Sequence, residues 1–222
     1  MPTPVSKTYA VNEIFWSPQG EGMRAGEMSV FIRFAGCNLR CRMEVAEDSP
    51  GGFDCDTEFA SGRKMTAGEI IEEAYTVVGK PVQWYLEQQD SGEPWVVFTG
   101  GEPALQVDTA LVEAMQDAGF QCAIETNGSK DVSQLGLDWI TVSPKVAEHA
   151  IRQTTATEVK YVRGYGQPLP KPTCEATYKL ISPAFDGTTI DERAVQWCVK
   201  LVKENPEWRL SMQLHKSAWR VR

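Results

Sequence analysis

The chain has 222 residues, 42% of them hydrophobic, and carries 22 basic against 30 acidic side chains for a formal charge of −8. That length suits one domain with ample material for a core, and the acidic balance argues against a nucleic-acid surface as the main function. No apolar run is long enough to span a bilayer, and the opening MPTPVSKTYAVNEIF lacks the apolar centre of an export signal, so a soluble cytoplasmic protein is expected.

In chain order, Met28–Phe34 (MSVFIRF) reads as a strand. It leads into three closely spaced cysteines, Cys37, Cys41 and Cys55. The intervening Gly/Pro/charge-rich stretch at 42–64 reads as an insert within a single domain spanning 1–222. Thr66 opens a helix, with Glu69 placed to complete a capping box. Apolar Ile70, Ile71, Ala74, Tyr75 and Val78 recur at helical period, and Gly79 ends the run. Trp95–Thr99 (WVVFT) reads as a buried strand. Ala110, Leu111, Ala114, Met115 and Ala118 mark a second helix, stopped by Gly119. Gln121–Thr126, Trp139–Val142, Glu158–Val162 and Tyr178–Ile181 look like strands, with a loop at 163–176 before the last of them. Ala194, Val195, Cys198, Leu201 and Val202 mark a third helix, and Arg209–Met212 a final strand.

This alternation implies an α/β fold with six to eight mainly parallel strands, rolled into part of a barrel. In such folds the C-terminal strand ends form the mouth of the active site. Five polar motifs fall at those ends: Thr99-Gly100-Gly101-Glu102, Glu125-Thr126-Asn127, Ser143-Pro144-Lys145, Ser182 with Asp186, and Gln213 with His215.

Three thiolates at Cys37, Cys41 and Cys55 fit a [4Fe–4S] cluster with one iron left open for a small ligand. They also fit zinc if folding supplies a fourth ligand, and His149 and His215 are both distant in sequence. In a reducing compartment the even count of six cysteines needs no disulfide framework. Cys122 and Cys198 read as core residues, and Cys174 is assigned no role. Gly100 and Gly101 after a strand allow a ligand to approach the backbone, or simply make a tight turn. Glu102 beside them could receive a ligand's ammonium group. The lysine of a P-loop and the GxGxxG fingerprint are both missing.

CxxxC with a third cysteine, followed by a strand ending in Gly-Gly-Glu, resembles the radical S-adenosylmethionine superfamily. Within it the chain resembles the 7-carboxy-7-deazaguanine synthase family. The resemblance runs through Asn12-Glu13-Ile14-Phe15, Gln19-Gly20-Glu21-Gly22, Phe31 to Leu39, Cys55-Asp56-Thr57, Thr99 to Pro103, Ile124 to Gly128, Val142 to Lys145, Trp208 to Gln213 and His215-Lys216. Thirteen residues separate Cys41 from Cys55, where the superfamily has two.

The resemblance implies a ring-contracting lyase of queuosine and deazapurine biosynthesis. Such an enzyme converts 6-carboxy-5,6,7,8-tetrahydropterin to 7-carboxy-7-deazaguanine with loss of ammonia. It also implies a [4Fe–4S] cluster on Cys37, Cys41 and Cys55, S-adenosylmethionine, and Mg²⁺ at Thr57. Gly101, Glu102, Ser143, Pro144, Lys145, Ser182 and Asp186 match cosubstrate positions. Pro18, Gln19, Gly20, Glu21, Arg33, Thr99, His215 and the terminal Arg222 match substrate positions. Arg33 would clamp the substrate carboxylate, while Glu21 accepts from ring N–H donors and His215 stands on the substrate side. An electron donor such as flavodoxin or ferredoxin, a homodimer, and no nucleic-acid or membrane partner are implied as well. Two other readings are a radical activase of a partner protein and a non-enzymatic zinc-binding barrel.

Overall fold

The computed structural model describes residues 7–39, 61–79, 94–186, 189–217 and 219. Its strands are β1 (Tyr9–Pro18), β2 (Met28–Phe34), β3 (Arg63–Met65), β4 (Trp95–Gly100), β5 (Gln121–Thr126), β6 (Trp139–Val142), β7 (Thr155–Arg163), β8 (Glu175–Pro183), β9 (Phe185–Asp186), β10 (Thr189–Ile190) and β11 (Trp208–Leu210). The helices are α1 (Ala67–Val78), α2 (Thr109–Asp117), α3 (Glu192–Glu204) and the short α4 (Leu214–Ser217).

Nine strands form one open sheet in the order β11-β8-β7-β6-β5-β4-β2-β1-β3, while β9 and β10 pair separately. From β2 through β11 every pairing in the large sheet is parallel. Two antiparallel strands extend the β2 edge. The expected partial α/β barrel is therefore present as an unclosed, mixed sheet with one antiparallel margin. Strand β1 escaped the sequence pattern because its register shifts between Val11 and Glu13, and such an irregularity breaks the two-residue alternation. Strand β3 lies within the span assigned to the insert, so the insert ends before Arg63.

Alternation along paired strands separates two faces. Val30, Ile32, Val96, Phe98, Cys122 and Ile124 share one face and join a core with Ile70 and Ala74 of α1 and Leu111 and Met115 of α2. Val142, Val159, Tyr161 and Ile181 continue that face under Cys198 and Leu201 of α3. Fully burying each large aliphatic side chain contributes about 1.5–3 kcal/mol. The helix ends are chemically specified. Thr66 and Glu69 form the reciprocal capping box, and Gly79 closes α1 in the left-handed conformation. Asp108 and Asp191 cap α2 and α3 through side-chain acceptance of backbone N–H groups.

The other face carries Ser29, Phe31 and Arg33, then Trp95, Val97 and Thr99, and by register Glu125, Thr141, Glu158 and Lys160. Polar side chains at alternate positions of parallel strands are not needed for packing, since buried parallel sheets are ordinarily apolar on both sides. No helix among the described residues is long and apolar enough to cross a membrane.

Candidate active site

The turn after β1 folds back over the polar face. Gln19 N–H donates to the Glu27 carbonyl (2.8 Å), and Gly26 N–H donates to the Gln19 carbonyl (2.8 Å). The turn is anchored from below by Met23 N–H to Glu158 Oε2 (3.0 Å) and Gly22 N–H to Ser211 Oγ (2.9 Å). Arg24, 5% exposed, lies with its guanidinium carbon 3.7 Å from the Trp95 ring centroid and donates to Ser29 Oγ (3.0 Å). This stacking closes the N-terminal end of the polar face with a desolvated cation on an aromatic plane.

Above it, Gln19 donates to Glu125 Oε1 (2.9 Å) and its own oxygen accepts the Glu21 N–H (3.1 Å). Glu21 is held from two sides. Lys160 Nζ donates to one carboxylate oxygen, and Gln213 Nε2 donates to the other (2.9 Å). Burial by itself pushes the Glu21 carboxyl up, but Lys160, His215 and Gln213 outweigh burial and bring it down to about 2. Burial also pulls the Lys160 ammonium down, and Glu21, Glu125 and Glu158 more than reverse that. The buried pair is therefore ionised on both sides.

Helix α4 brings the C-terminal end of the chain to this turn. Leu214 N–H donates to the Gly20 carbonyl (2.9 Å). A Cβ on Gly20 would lie 2.3 Å from His215 Nδ1, so only glycine lets the histidine approach. His215 Nε2 stands 4.0 Å from Glu21 Oε1, an electrostatic contact and not a hydrogen bond. On the neighbouring strands Arg33 pairs with Thr99 in register, and its Nε donates to Glu13 Oε1 (2.8 Å). Its guanidinium also lies 5.6 Å from the Phe15 ring. Gln19, Gly20, Glu21 and His215 thus meet around one point, with Arg33 and Thr99 together at the ends of β2 and β4; Pro18 ends β1.

The glycine turn and the cysteine loop are interlocked. Gly101 N–H donates to the Phe34 carbonyl (3.0 Å) and Glu102 N–H to the Gly36 carbonyl (2.9 Å). A Cβ on Gly101 would meet Gly36 O at 2.0 Å and Cys37 Cβ at 3.2 Å. Cys37 is half-buried, and its sulfur accepts the Leu39 N–H (3.4 Å). A half-buried thiol in the loop after β2, accepting such an amide donor, fits one corner of an iron–sulfur cluster. Cys41, Cys55, Thr57 and Arg222 lie outside the described residues. The other thiols do not compete as ligands. Cys122, Cys174 and Cys198 are buried, and burial pushes them up to about 12, 11 and 11.

Glu102 turns inward. Its carboxylate is fully buried and accepts from Thr126 Oγ1 (2.6 Å), Asn127 N–H (2.7 Å) and Ala104 N–H (3.0 Å). It ties the end of β4 to the end of β5. Asn127 then donates to Asn38 Oδ1 (3.0 Å), and Asn38 to Ser129 Oγ (2.8 Å), so the cysteine loop joins the same network. Glu102→Ala would leave three buried donors unpaired and is expected to cost about 3–5 kcal/mol in chemical denaturation. Ser182 likewise turns inward and donates to the Ser211 carbonyl (2.8 Å) with no exposed surface. Asp186 pairs through its backbone with Thr189. Ser143 and Lys145 follow β6 as expected, with Lys145 Nζ donating to Ser143 Oγ (3.0 Å) and Pro144 between them.

Arg24, Glu158 and Lys160 were not among the expected site residues. The available signal was charge at alternate positions of β7, with Val159 and Tyr161 between and after them. Burial raises the Glu158 carboxyl above its ordinary value, with Glu125 adding to the effect and Met23 N–H, Lys160 and Thr141 opposing it. A raised carboxyl makes the unfolded chain release its proton first, so stability falls as pH climbs from about 4.5 through the raised value. Glu158→Gln is expected to flatten that part of the stability–pH curve, read from urea midpoints across pH 4–8. The depressed Glu21 acts oppositely: its contribution is present above about 4.5 and is lost as pH falls toward about 2.

No family model matches the chain. The chain is 39% identical over 220 residues to the 7-carboxy-7-deazaguanine synthase of Nitratidesulfovibrio vulgaris, covering 94% of this chain and 97% of that one. It is 40% identical over 219 residues to the 7-carboxy-7-deazaguanine synthase of Bradyrhizobium diazoefficiens, covering 95% and 98%. Among solved structures, QueE from Escherichia coli superposes with a TM-score of 0.60 at 25% identity over 92% of this chain and 93% of that one. With identity of this extent over nearly the whole length, and the same fold, the chain belongs to the 7-carboxy-7-deazaguanine synthase family.

Proposed function

We propose that this chain is a radical S-adenosylmethionine lyase converting 6-carboxy-5,6,7,8-tetrahydropterin to 7-carboxy-7-deazaguanine and ammonia in queuosine and deazapurine biosynthesis. What supports the reading is that the Gln19–Glu21 turn meets Gln213 and His215, that Arg33 and Thr99 pair in register on the polar face of the sheet, and that the glycine turn is locked to the Cys37 loop. Cys37, with Cys41 and Cys55, would hold a [4Fe–4S] cluster, and Gly101 with the Ser143–Lys145 loop would bind S-adenosylmethionine. When bound, these groups would supply one-electron chemistry for abstracting a substrate hydrogen. Substrate equals product plus ammonia, so the conversion needs no net oxidant.

The chain's own side chains position and shield. Arg33, braced by Glu13, clamps the substrate carboxylate. Mg²⁺ at Thr57 would share that carboxylate, as a hard cation takes oxygen ligands. Glu21 accepts from pterin N–H groups, Gln19 complements it, and His215 lines the opposite wall. Arg24 on Trp95 keeps water from entering through the floor. A flavodoxin- or ferredoxin-type donor would reduce the cluster of a cytoplasmic homodimer with no nucleic-acid or membrane partner.

Anaerobic assay of reconstituted protein with the carboxypterin tests the proposal. Release of 5′-deoxyadenosine together with a deazaguanine product is expected. No turnover with a full cluster would overturn the substrate assignment.

A further inference from the structure

We infer that Lys160 is a positioning residue for the proposed reaction: from β7 it holds Glu21 as a fixed, acceptor-only carboxylate, so that Glu21 selects a ligand edge built of N–H donors. The inference deepens the proposed function and rests on it. Lys160 is 5% exposed and stands on the polar face of the sheet, between Val159 and Tyr161, whose side chains enter the helix-side core. Its ammonium donates to one oxygen of Glu21, a residue from the opposite end of the sheet order. Gln213 donates to the other oxygen at 2.9 Å. A carboxylate gripped through each oxygen by a different element cannot rotate, and it retains acceptor sites for a ligand.

The charges around the pair make the lysine necessary. Glu125 from β5 and Glu158 from β7 act on Lys160, and His215 from α4 acts on Glu21. Arg24 also faces Glu125 and Glu158, but its Nε is engaged by Glu27 at 3.0 Å. Without Lys160, three carboxylates would crowd one desolvated site, and burial would favour the protonated form of Glu21. A protonated carboxyl donates as well as accepts. The side chain would then lose its selectivity for N–H donors, and a mispaired polar edge is where such sites discriminate most strongly.

The test uses full-length reconstituted protein and anaerobic binding of 6-carboxy-5,6,7,8-tetrahydropterin, with Lys160→Met, Lys160→Arg, Glu21→Gln and the Lys160→Met/Glu21→Gln pair. Lys160→Met is expected to weaken binding about a hundredfold and to add a steep pH dependence between about pH 5 and 8. Lys160→Arg is expected to restore binding to within about tenfold. Because Lys160 acts through Glu21, Lys160→Met in the Glu21→Gln background should cost no more than about twofold further. Multiplying effects, or a pH profile that Lys160→Met leaves unmoved, would overturn the inference.

Wild-type protein that holds its cluster yet does not bind the carboxypterin refutes the proposed substrate, a separate failure. In that case, or if Lys160→Met does not fold, infrared difference spectra of wild type against Glu21→Gln decide. A carboxylate band assigned to Glu21 at neutral pH supports the inference, and a protonated carboxyl band there overturns it.

Discussion

Replacing Gly101 by alanine is expected to push the glycine turn off the cysteine loop and to remove most of the activity. The added methyl carbon would sit 2.0 Å from the Gly36 carbonyl oxygen and 2.6 Å from its carbon. Both are backbone atoms of the turn that Glu102 N–H already pins at 2.9 Å, so no flexible side chain can yield. Either the β4 turn or the Cys37 loop must move, and each movement breaks hydrogen bonds among Phe34, Gly36 and the glycine pair. The expected cost is about 3 kcal/mol or more in folding stability. The expected loss in turnover is about a thousandfold, since cluster and cosubstrate positions shift together. Urea denaturation, iron content and anaerobic turnover measure the three consequences. Gly68→Ala is the matched control: nothing lies within 4 Å of its added carbon at the start of α1, and alanine there should be neutral or stabilising by about 0.5–1 kcal/mol. A Gly101→Ala protein that retains iron and turns over within tenfold of wild type would refute the interlock.

The second large effect is expected at Cys37. Cys37→Ser should abolish cluster retention and reduce turnover by about a thousandfold or more, because a hydroxyl is a poor substitute for a thiolate on iron. Cys122→Ala, Cys174→Ala and Cys198→Ala should each keep the full iron and sulfide content, with only a packing loss of about 1–2 kcal/mol. The contrast follows from environment. Cys37 lies at a strand end with part of its surface open. The other three are buried and held far toward the neutral thiol. Iron, sulfide and the visible absorption of anaerobically reconstituted variants separate the outcomes. Colourless protein carrying zinc would favour the structural-metal reading, and undiminished turnover in Cys37→Ser would remove the thiolate assignment.

The two expectations share one architectural cause. The strand ends are not independent loops that happen to lie near one another. Glu102, Thr126, Asn127, Asn38 and Ser129 form a continuous polar chain across the ends of β2, β4 and β5. In a parallel sheet these ends are adjacent by construction, so short side chains can bridge them, and the buried Glu102–Thr126–Asn127 centre of the network fixes their spacing. Rigid support of this kind is what a radical reaction needs when one hydrogen among several must be presented.

Several elements could be read directly. The α1 cap, its apolar stripe and its closing glycine are local properties of 66–79, and the structure reproduces them. Strands β2, β5 and β6 have the expected bounds, because short apolar runs between turn residues leave little alternative. Strands β7 and β8 are longer than their apolar centres indicated, extending to Thr155–Arg163 and Glu175–Pro183. Their polar ends are held by pairing with each other along nearly their whole length, a stabilisation that no local pattern contains.

The α/β fold class, the polar motifs at the strand ends and the family motifs around Gln19–Glu21, Cys37 and Gly100–Gly101 are all legible in the chain itself. These follow from local propensity and from residue types that serve chemistry better than packing. Which charges meet depends on the folded arrangement of distant elements. Glu21 and Lys160 are 139 residues apart and form one ion pair, Gly20 receives His215 from the C-terminal helix, and Glu102 turns inward to hold the β5 end. The physical reason is that a buried charge takes its partner from whichever element folding brings beside it, and the burial that makes the partnership strong exists only after the sheet has assembled.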